Sequence, residues 1–393
     1  MVVQVQRTVT IAMHHTLVEM SKMEYHSEIC DEAVGLLMTY RCNLNCKYCY
    51  VQIKRNKDMT LEMAQNILEP FLNKTGGLVD ITFMGGETLM AIDVIRPLVE
   101  WVEKGKWNRH YRFLGATNGT LLNDEMKAWL VKYKHVFTLG LSYDGLPSVQ
   151  NENRGNDEID IDFFINTWPH QPIQMTINAD SVDKMAEGII YLLERGGTVH
   201  PNVAFEQTEW PKIKVKEYGR QLNKLIEYYR LNDDKPLISP FIHNLNEYAY
   251  CIDHPRKQLE VCGAGNGFQV FDIDGESYPC HILSPLVLMD NRLQEVKKSL
   301  ISKTTDFSDT DCAHCPYTSS CPTCLGCNFL YRNKLQKRDK THCLIMKTEV
   351  RAFIKKEVLR LKEKRHLSSD DATEIDSICR LVEYEKTRKI TKC

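Results

Sequence analysis

No stretch of about 18 or more consecutive apolar residues occurs in the 393 residues, so the sequence predicts no transmembrane helix and no membrane partner. The first twenty residues, MVVQVQRTVTIAMHHTLVEM, interleave polar and apolar groups and lack the continuous apolar core of a secretion signal. Neither sign of charge is in excess: 50 Lys and Arg stand against 52 Asp and Glu, a formal net charge of −2. That balance argues against a chain-wide nucleic-acid or anionic-membrane surface. Disorder is set aside too, because 43% of the residues are hydrophobic and 26% are charged. Cysteine is missing from one long stretch, between Cys49 and Cys251.

Fifteen cysteines crowd the two sides of that gap. A secreted disulfide scaffold would be shorter and more evenly stapled. Clustered thiols in a reducing compartment are more often metal ligands, so the chain reads as a cytoplasmic metalloprotein with two cysteine regions. Cys30, Cys379 and Cys393 have no partner at metal spacing and read as plain thiols.

The length exceeds one ordinary core. From residue 34 short apolar runs at 34–39, 79–84, 111–116, 137–142, 172–177 and 203–206 alternate with helical periods. The helical periods lie at 61–71 (Thr60 as N-cap), 93–103, 124–133, 182–194 and 215–229. Six β–α repeats predict a parallel α/β sheet with right-handed crossovers. They fall short of the eight units of a closed barrel, so a partial (β/α)6 barrel is expected over residues 34–235, with ligands at the strand carboxyl ends. Residues 1–33 form an N-terminal extension. Residues 236–345 form a small cysteine-rich domain with a hairpin at 268–273 and 277–280 around Asp274-Gly275. Residues 346–393 return to helical spacing, and their basic stretch (Lys347, Arg351, Lys355, Lys356, Arg360, Lys362, Lys364, Arg365) reads as a solvated helical face.

Cys42, Cys46 and Cys49 stand at C-x3-C-x2-C directly after the first strand. Three thiolates hold three corners of a cubane and leave one iron without a protein ligand, which turns a metal centre from structural to catalytic. The bland alternative is a zinc knuckle short of a ligand, with His14 or His15 as a distant fourth. The loop, with aromatic Tyr48 before Cys49, resembles that of the radical S-adenosylmethionine (radical SAM) enzymes. The resemblance implies a [4Fe–4S] cluster on the three cysteines and S-adenosylmethionine chelated to the open iron. Gly85-Gly86-Glu87 after the second strand resembles the family's GGE motif, with Thr88 in place of the usual proline; it implies a carboxylate for the methionine amino group. Thr117-Asn118-Gly119 and Ser142-Tyr143-Asp144-Gly145 with Arg154 resemble the subfamily of anaerobic sulfatase maturases and peptide-modifying enzymes. Tyr48, Gly85, Gly86, Glu87, Asn118, Ser142 and Arg154 are thus the cofactor-binding candidates, Ser142 for the ribose and Arg154 for the carboxylate. Asp144-Gly145 alone reads as a plain turn.

The second region, Cys262, Cys280, Cys312, Cys315, Cys321, Cys324, Cys327 and Cys343, resembles the SPASM extension with two auxiliary [4Fe–4S] clusters. By that resemblance Cys312, Cys315, Cys321 and Cys343 bind the outer cluster. Cys262, Cys280 and either Cys324 or Cys327 bind the inner one, completed by Cys251 or left open. A pair of structural zinc sites is the alternative.

The implied activity is oxidoreductase-type: one electron from a donor such as flavodoxin or ferredoxin yields a 5′-deoxyadenosyl radical that takes a hydrogen from a peptide or protein substrate. A thioether or carbon cross-link in a ribosomally made peptide is favoured. Formylglycine formation is the alternative, but it wants an aspartate after Cys280, where His281 stands as the candidate base. Residues 1–33 are too few for a winged-helix leader-peptide domain. A zinc-ribbon nucleic-acid module is a remoter reading, opposed by the near-zero charge.

Overall fold

The computed structural model describes residues 30–204, 206, 209–255, 264, 267–288, 292–293, 310–321 and 324–388. Residues 1–29, Cys262 and Cys393 lie outside the described residues, as do the expectations that fall on them. The chain divides into two compact units. One comprises Met1–Thr176, Tyr191–Asn202 and Cys262–Lys303; the other comprises Ile177–Ile190, Val203–Val261 and Thr304–Cys393. Among the described residues no helix is long and apolar enough to cross a membrane.

The first unit is a parallel α/β sheet. Strand β1 (Cys30–Thr39) is apolar on both faces, with Val34, Leu36, Leu37 and Met38 fully buried, as a central parallel strand requires. It pairs in parallel with β2 (Leu78–Gly85), β2 with β3 (His110–Thr117), and β3 with β4 (Phe137–Leu141). The connecting helices include α1 (Leu61–Leu72), α2 (Ile92–Lys104) and α3 (Asp124–Tyr133). Thr60 caps α1 by accepting a hydrogen bond from the Met63 amide, as its position in sequence predicts. Phe83, Phe113 and Phe137 pack ring to ring across three strands at 5.4 to 6.3 Å, with Trp129 of α3 6.0 Å from Phe137. Further along come α4 (Pro147–Arg154) and α5 (Ile161–Thr167). β5 (Ile173–Ile177) and β6 (Val199–Val203), with α6 (Met185–Glu194) between them, form a separate ladder. A parallel bridge from Ser142 to Gln174 links that ladder to the end of β4.

Two features depart from the expectation. The sixth strand runs over Val199–Val203 and not 203–206. Its sequence, VHPNV, carries Pro201, which removes a ladder donor and disguises a strand, yet is tolerated where the strand lies at the edge of its sheet, as here. The hairpin expected in the cysteine-rich domain also joins the sheet. β7 (Phe268–Phe271) lies parallel to β1 with Ala33 opposite Phe268, and β8 (Ser277–Tyr278) turns back antiparallel, so the order is β4-β3-β2-β1-β7-β8.

The second unit is chiefly helical, with α7 (Lys212–Leu231), α8 (Leu245–Asp253), α9 (Thr310–Ala313), α10 (Leu325–Arg332), α11 (Lys340–Glu363) and α12 (Ser369–Arg388). The basic stretch of α11 is answered at close range. Arg351 pairs with Glu385, Lys356 with Glu357, Arg360 with Glu357 and Glu374, and Lys364 with Asp371. Four of the eight cations that the sequence reads as a solvated helical face are thus held in ion pairs.

Between α7 and α11 the Tyr218 hydroxyl donates to Glu349 at 2.6 Å. Burial lifts the Glu349 carboxyl to about 7, against a partial pull downward from Tyr218. A carboxyl raised on folding binds a proton that the unfolded chain has released. Its contribution is therefore present at acid pH and lost as pH rises through about 7. Glu349→Gln is expected to flatten the decline in stability between about pH 5 and about pH 8. Urea midpoints measured across that range check it, and an unchanged slope refutes it.

Candidate functional site

Where β1 ends, its exit crosses that of β2 at backbone contact. The Gly86 amide donates to the Thr39 carbonyl at 3.0 Å and the Glu87 amide to the Arg41 carbonyl at 2.8 Å. A Cβ on Gly85 would lie 2.1 Å from the Thr39 oxygen, and one on Gly86 would lie 2.2 Å from the Arg41 oxygen. Gly85 has in addition φ +145, which a side chain would disfavour. The glycine pair is thus required by the approach of two chains, and it fixes the start of the cysteine loop.

That loop is held at two more points. Asn43 accepts from the Asn118 amide at 3.0 Å and donates to Thr120 at 2.7 Å, tying it to the end of β3. The Lys47 amide donates to the Asn153 carbonyl at 2.9 Å, tying it to α4. Cys42, Cys46 and Cys49 are all half-buried. Burial pushes Cys42 up to about 11 and raises Cys46; Cys46 adds to the rise at Cys42 and Cys49 to that at Cys46, while Lys54 opposes both. Cys42 and Cys46 thus favour the neutral thiol in the folded chain, which a bound cation would reverse. Among the described residues no three His, Cys, Asp or Glu side chains converge on one metal ion. The ligands of a cubane need not, because each thiolate binds its own iron.

Beside the loop lie a buried carboxylate and a buried ion pair. Glu87, 2% exposed, accepts from the Thr117 hydroxyl at 2.6 Å, the Leu89 amide at 3.0 Å and the Asn118 amide at 2.8 Å. These donors fill three of its roughly four lone-pair positions. Burial raises its pKa, opposed by those donors and by Arg154. Asp144, 0% exposed, faces the Arg154 Nε and Nη2 atoms at 3.1 and 3.0 Å and accepts from the Thr176 amide at 3.1 Å. The Tyr48 hydroxyl and the Asn153 amide, the latter at 3.2 Å, bond its other oxygen. Arg154 also lies 5.4 Å from the Tyr48 ring centroid, a cation–π contact.

The sequence-predicted residues of this unit therefore gather around the ends of β1 to β4. Asn118 uses its side chain to anchor the loop through Asn43 and Thr120. Ser142, buried, donates its amide to the Thr117 carbonyl at 2.9 Å. Sequence reasoning passed over Asp144 as a turn residue, yet it centres the network. Its spacing to Arg154, one short helix away, was the available signal. His281 is 2% exposed, its ring 5.4 Å from that of Tyr50, and neither ring nitrogen has a hydrogen-bond partner. Burial holds it neutral, down to about 3.

In the second unit Cys312, Cys315, Cys321 and Cys343 act on one another. Burial pushes Cys315 up to about 11 and Cys321 up to about 12. Cys343 and Cys312 add to the first rise, and Cys315, Cys343 and Cys312 to the second. Cys324 caps α10 by accepting from the Cys327 amide at 3.4 Å, and its thiol is lowered chiefly by the hydrogen bond from Cys327, whose own thiol that bond raises. Cys251 is buried on α8. Cys280 belongs to the first unit, and Cys262 is outside the described residues.

Residues 36–200 match the family model of the Radical SAM superfamily. An uncharacterised protein of Methanocaldococcus jannaschii is 37% identical over 112 residues, 28% of this chain and 38% of that protein, so the chain spans well under half the length of that relative. The radical SAM cyclopropyl synthase TigE of Paramaledivibacter caminithermalis is 21% identical over 364 residues, 83% of this chain and 74% of TigE. Among solved structures, native anSMEcpe with bound AdoMet superposes at a TM-score of 0.61 with 18% identity, covering 84% of this chain and 97% of that one. SuiB of Streptococcus suis, bound to S-adenosylmethionine, superposes at 0.55 with 14% identity, covering 84% and 80%. Both neighbours also exist as peptide complexes, anSMEcpe with the Cp18Cys peptide and SuiB with its precursor peptide SuiA. These likenesses establish the fold.

Gly86→Ala forces a methyl group into the Arg41 carbonyl and onto the Cys42 Cβ. It is expected to cost about 2 kcal/mol or more of stability and to lower iron uptake during anaerobic reconstitution. Urea denaturation and iron assay check both, and wild-type values in both refute the crossing as the anchor.

Proposed function

We propose, from the match of residues 36–200 to the Radical SAM superfamily model, that the chain is a maturase that modifies a residue of a ribosomally made peptide through a thioether or carbon cross-link. The observation that carries this reading is the cysteine loop. Three mutually interacting thiols are anchored to the ends of β2 and β3 beside a buried carboxylate and a buried guanidinium. Cys42, Cys46 and Cys49 would hold a [4Fe–4S] cluster with one iron open. Glu87 keeps about one lone-pair position for the cofactor's ammonium group, given the three donors already on it. Arg154 spends Nε and Nη2 on Asp144, which leaves Nη1 for the cofactor's carboxylate, and Ser142 is the candidate for the ribose. Bound there, cluster and cofactor supply a hydrogen-abstracting carbon radical.

The protein's share is placement. Asp144 fixes the Arg154 plane and, through the Tyr48 hydroxyl, the approach to Cys49. Thr117 and Asn118 fix Glu87. Cys312, Cys315, Cys321 and Cys343 would hold an outer auxiliary cluster. Cys262, Cys280 and Cys324 or Cys327 would hold an inner one, either serving as the acceptor of the electron left on the substrate. His281, neutral and with neither ring nitrogen hydrogen-bonded, is the candidate base. A peptide substrate is supported by the peptide complexes of anSMEcpe and SuiB and by the TigE likeness. The absence of a carboxylate after Cys280 favours a cross-link over formylglycine.

Two measurements test this. Cys46→Ala is expected to abolish 5′-deoxyadenosine formation and remove about one cluster's iron while the remainder stays bound; persistent formation would remove the reading. Incubated with its peptide, the enzyme is expected to yield a product that has lost two hydrogens and no sulfur. A product that has exchanged a thiol for a hydrazine-reactive aldehyde would assign formylglycine chemistry instead.

A further inference from the structure

Among the described residues only two that are not glycine have a positive φ, Glu206 at +80 and Asn333 at +55. Asn333 is ordinary: it is the left-handed cap that ends α10, its amide on the Phe329 carbonyl at 2.9 Å. Glu206 is not, because a long side chain keeps that conformation only where its surroundings hold it there. What holds it is Arg332, the last residue of α10, whose Nη1 and Nη2 atoms donate to the two Glu206 carboxylate oxygens at 2.8 and 2.6 Å. The Glu206 side chain is 4% exposed, so the pair is desolvated and loss of either charge leaves the other uncompensated. The same guanidinium is tied into its own helix. Its Nε donates to the Lys337 carbonyl at 2.6 Å, and Nη2 donates also to the Asn328 side chain at 2.8 Å. Asn328 in turn donates to the Leu335 carbonyl at 2.8 Å. It directly follows Cys327, whose amide donates to the Cys324 sulfur at 3.4 Å. Glu206 and Arg332 both act electrostatically on the Cys327 thiol. A strained carboxylate, a guanidinium fork and one carboxamide thus lead, contact by contact, to the turn that bears both cysteines.

We infer that Glu206 is a positioning residue for the Cys324–Cys327 turn, acting through Arg332. The inference rests on the function proposed above, in which one of these two cysteines holds an auxiliary cluster. A bidentate pair fixes the guanidinium plane as well as its distance, and with the plane it fixes Asn328 and the first turn of α10. The backbone at residue 206 is held in a disfavoured region to reach that geometry, which is where positioned ligands store strain. The two charges also cancel beside Cys327. A cluster bound there feels a balanced pair, and removing one member shifts its potential in a direction set by the charge that remains.

The test uses the full-length protein, first metal-free and then reconstituted under nitrogen. In the metal-free protein, alkylation of each cysteine by iodoacetamide is followed by peptide mass spectrometry, with exposed Cys379 as the internal reference. Glu206→Gln is expected to speed alkylation of Cys324 and Cys327 about tenfold relative to Cys379. In the reconstituted protein, the cluster lost in the Cys324→Ser/Cys327→Ser variant is followed by redox titration with electron paramagnetic resonance. Its midpoint potential is expected to rise in Glu206→Gln, which leaves a bare cation, and to fall in Arg332→Gln, which leaves a bare anion. In the double variant Glu206→Gln/Arg332→Gln it should return close to the wild-type value. A merely structural pair would move both single variants alike. Should a single variant fail to fold, the double variant, which leaves no lone buried charge, is read by alkylation in its place. Equal alkylation in wild type and variant, unmoved potentials, or shifts of one sign overturn the inference. Should the Cys324→Ser/Cys327→Ser variant lose no cluster signal, the auxiliary-cluster reading falls instead, and the alkylation comparison alone decides the role of Glu206.

Discussion

The closest approach that organises this molecule is between two main chains. At the exits of β1 and β2 the backbones of Thr39–Arg41 and Gly85–Gly86 lie so near that no Cβ fits on the second chain. The two amides that cross the gap are satisfied by two carbonyls, so the contact is stable as well as close. Its effect is directional. The loop bearing Cys42, Cys46 and Cys49 leaves the sheet from a fixed point, and Glu87 enters the site with its orientation set before any side-chain bond is made. The same glycines serve geometry first and leave the chemistry to their neighbours.

Around that crossing, polar groups are buried in pairs that answer one another. Asp144 and Arg154 would each be costly alone in the interior; together, with Tyr48, Asn153 and the Thr176 amide, they form a satisfied network. The thiols are different. Burial raises Cys42, Cys46, Cys315 and Cys321 more than nearby donors and cations lower them, so these thiols favour the neutral form.

Much of this was legible in the sequence because it is carried by local pattern. Continuous apolar runs marked the central strands, Thr60 marked the start of α1, and the tight cysteine spacing marked the loop after β1. What escaped depends on partners distant in sequence. Val199–Val203 hid behind Pro201, acceptable only because that strand lies at an edge. Asp144 looked like half of a turn because its partners Tyr48 and Thr176 arrive from other elements. The sheet partnership of β7 has no signature in its own four residues. The spacing of Cys324 and Cys327 does not decide between them, and in the structure the two are engaged with each other.

The position of β7 bears on how the chain is born. β1 leaves the ribosome well before β7, so its second hydrogen-bonding edge stays unanswered until Phe268–Phe271 has been made, since Ala33 must wait for Phe268. An apolar strand with one bare edge while β2 to β6 are being made invites pairing with the wrong chain. Completion of the sheet is therefore a late, non-local event, and a nascent chain stopped short of the hairpin would emerge with β1 open to aggregation.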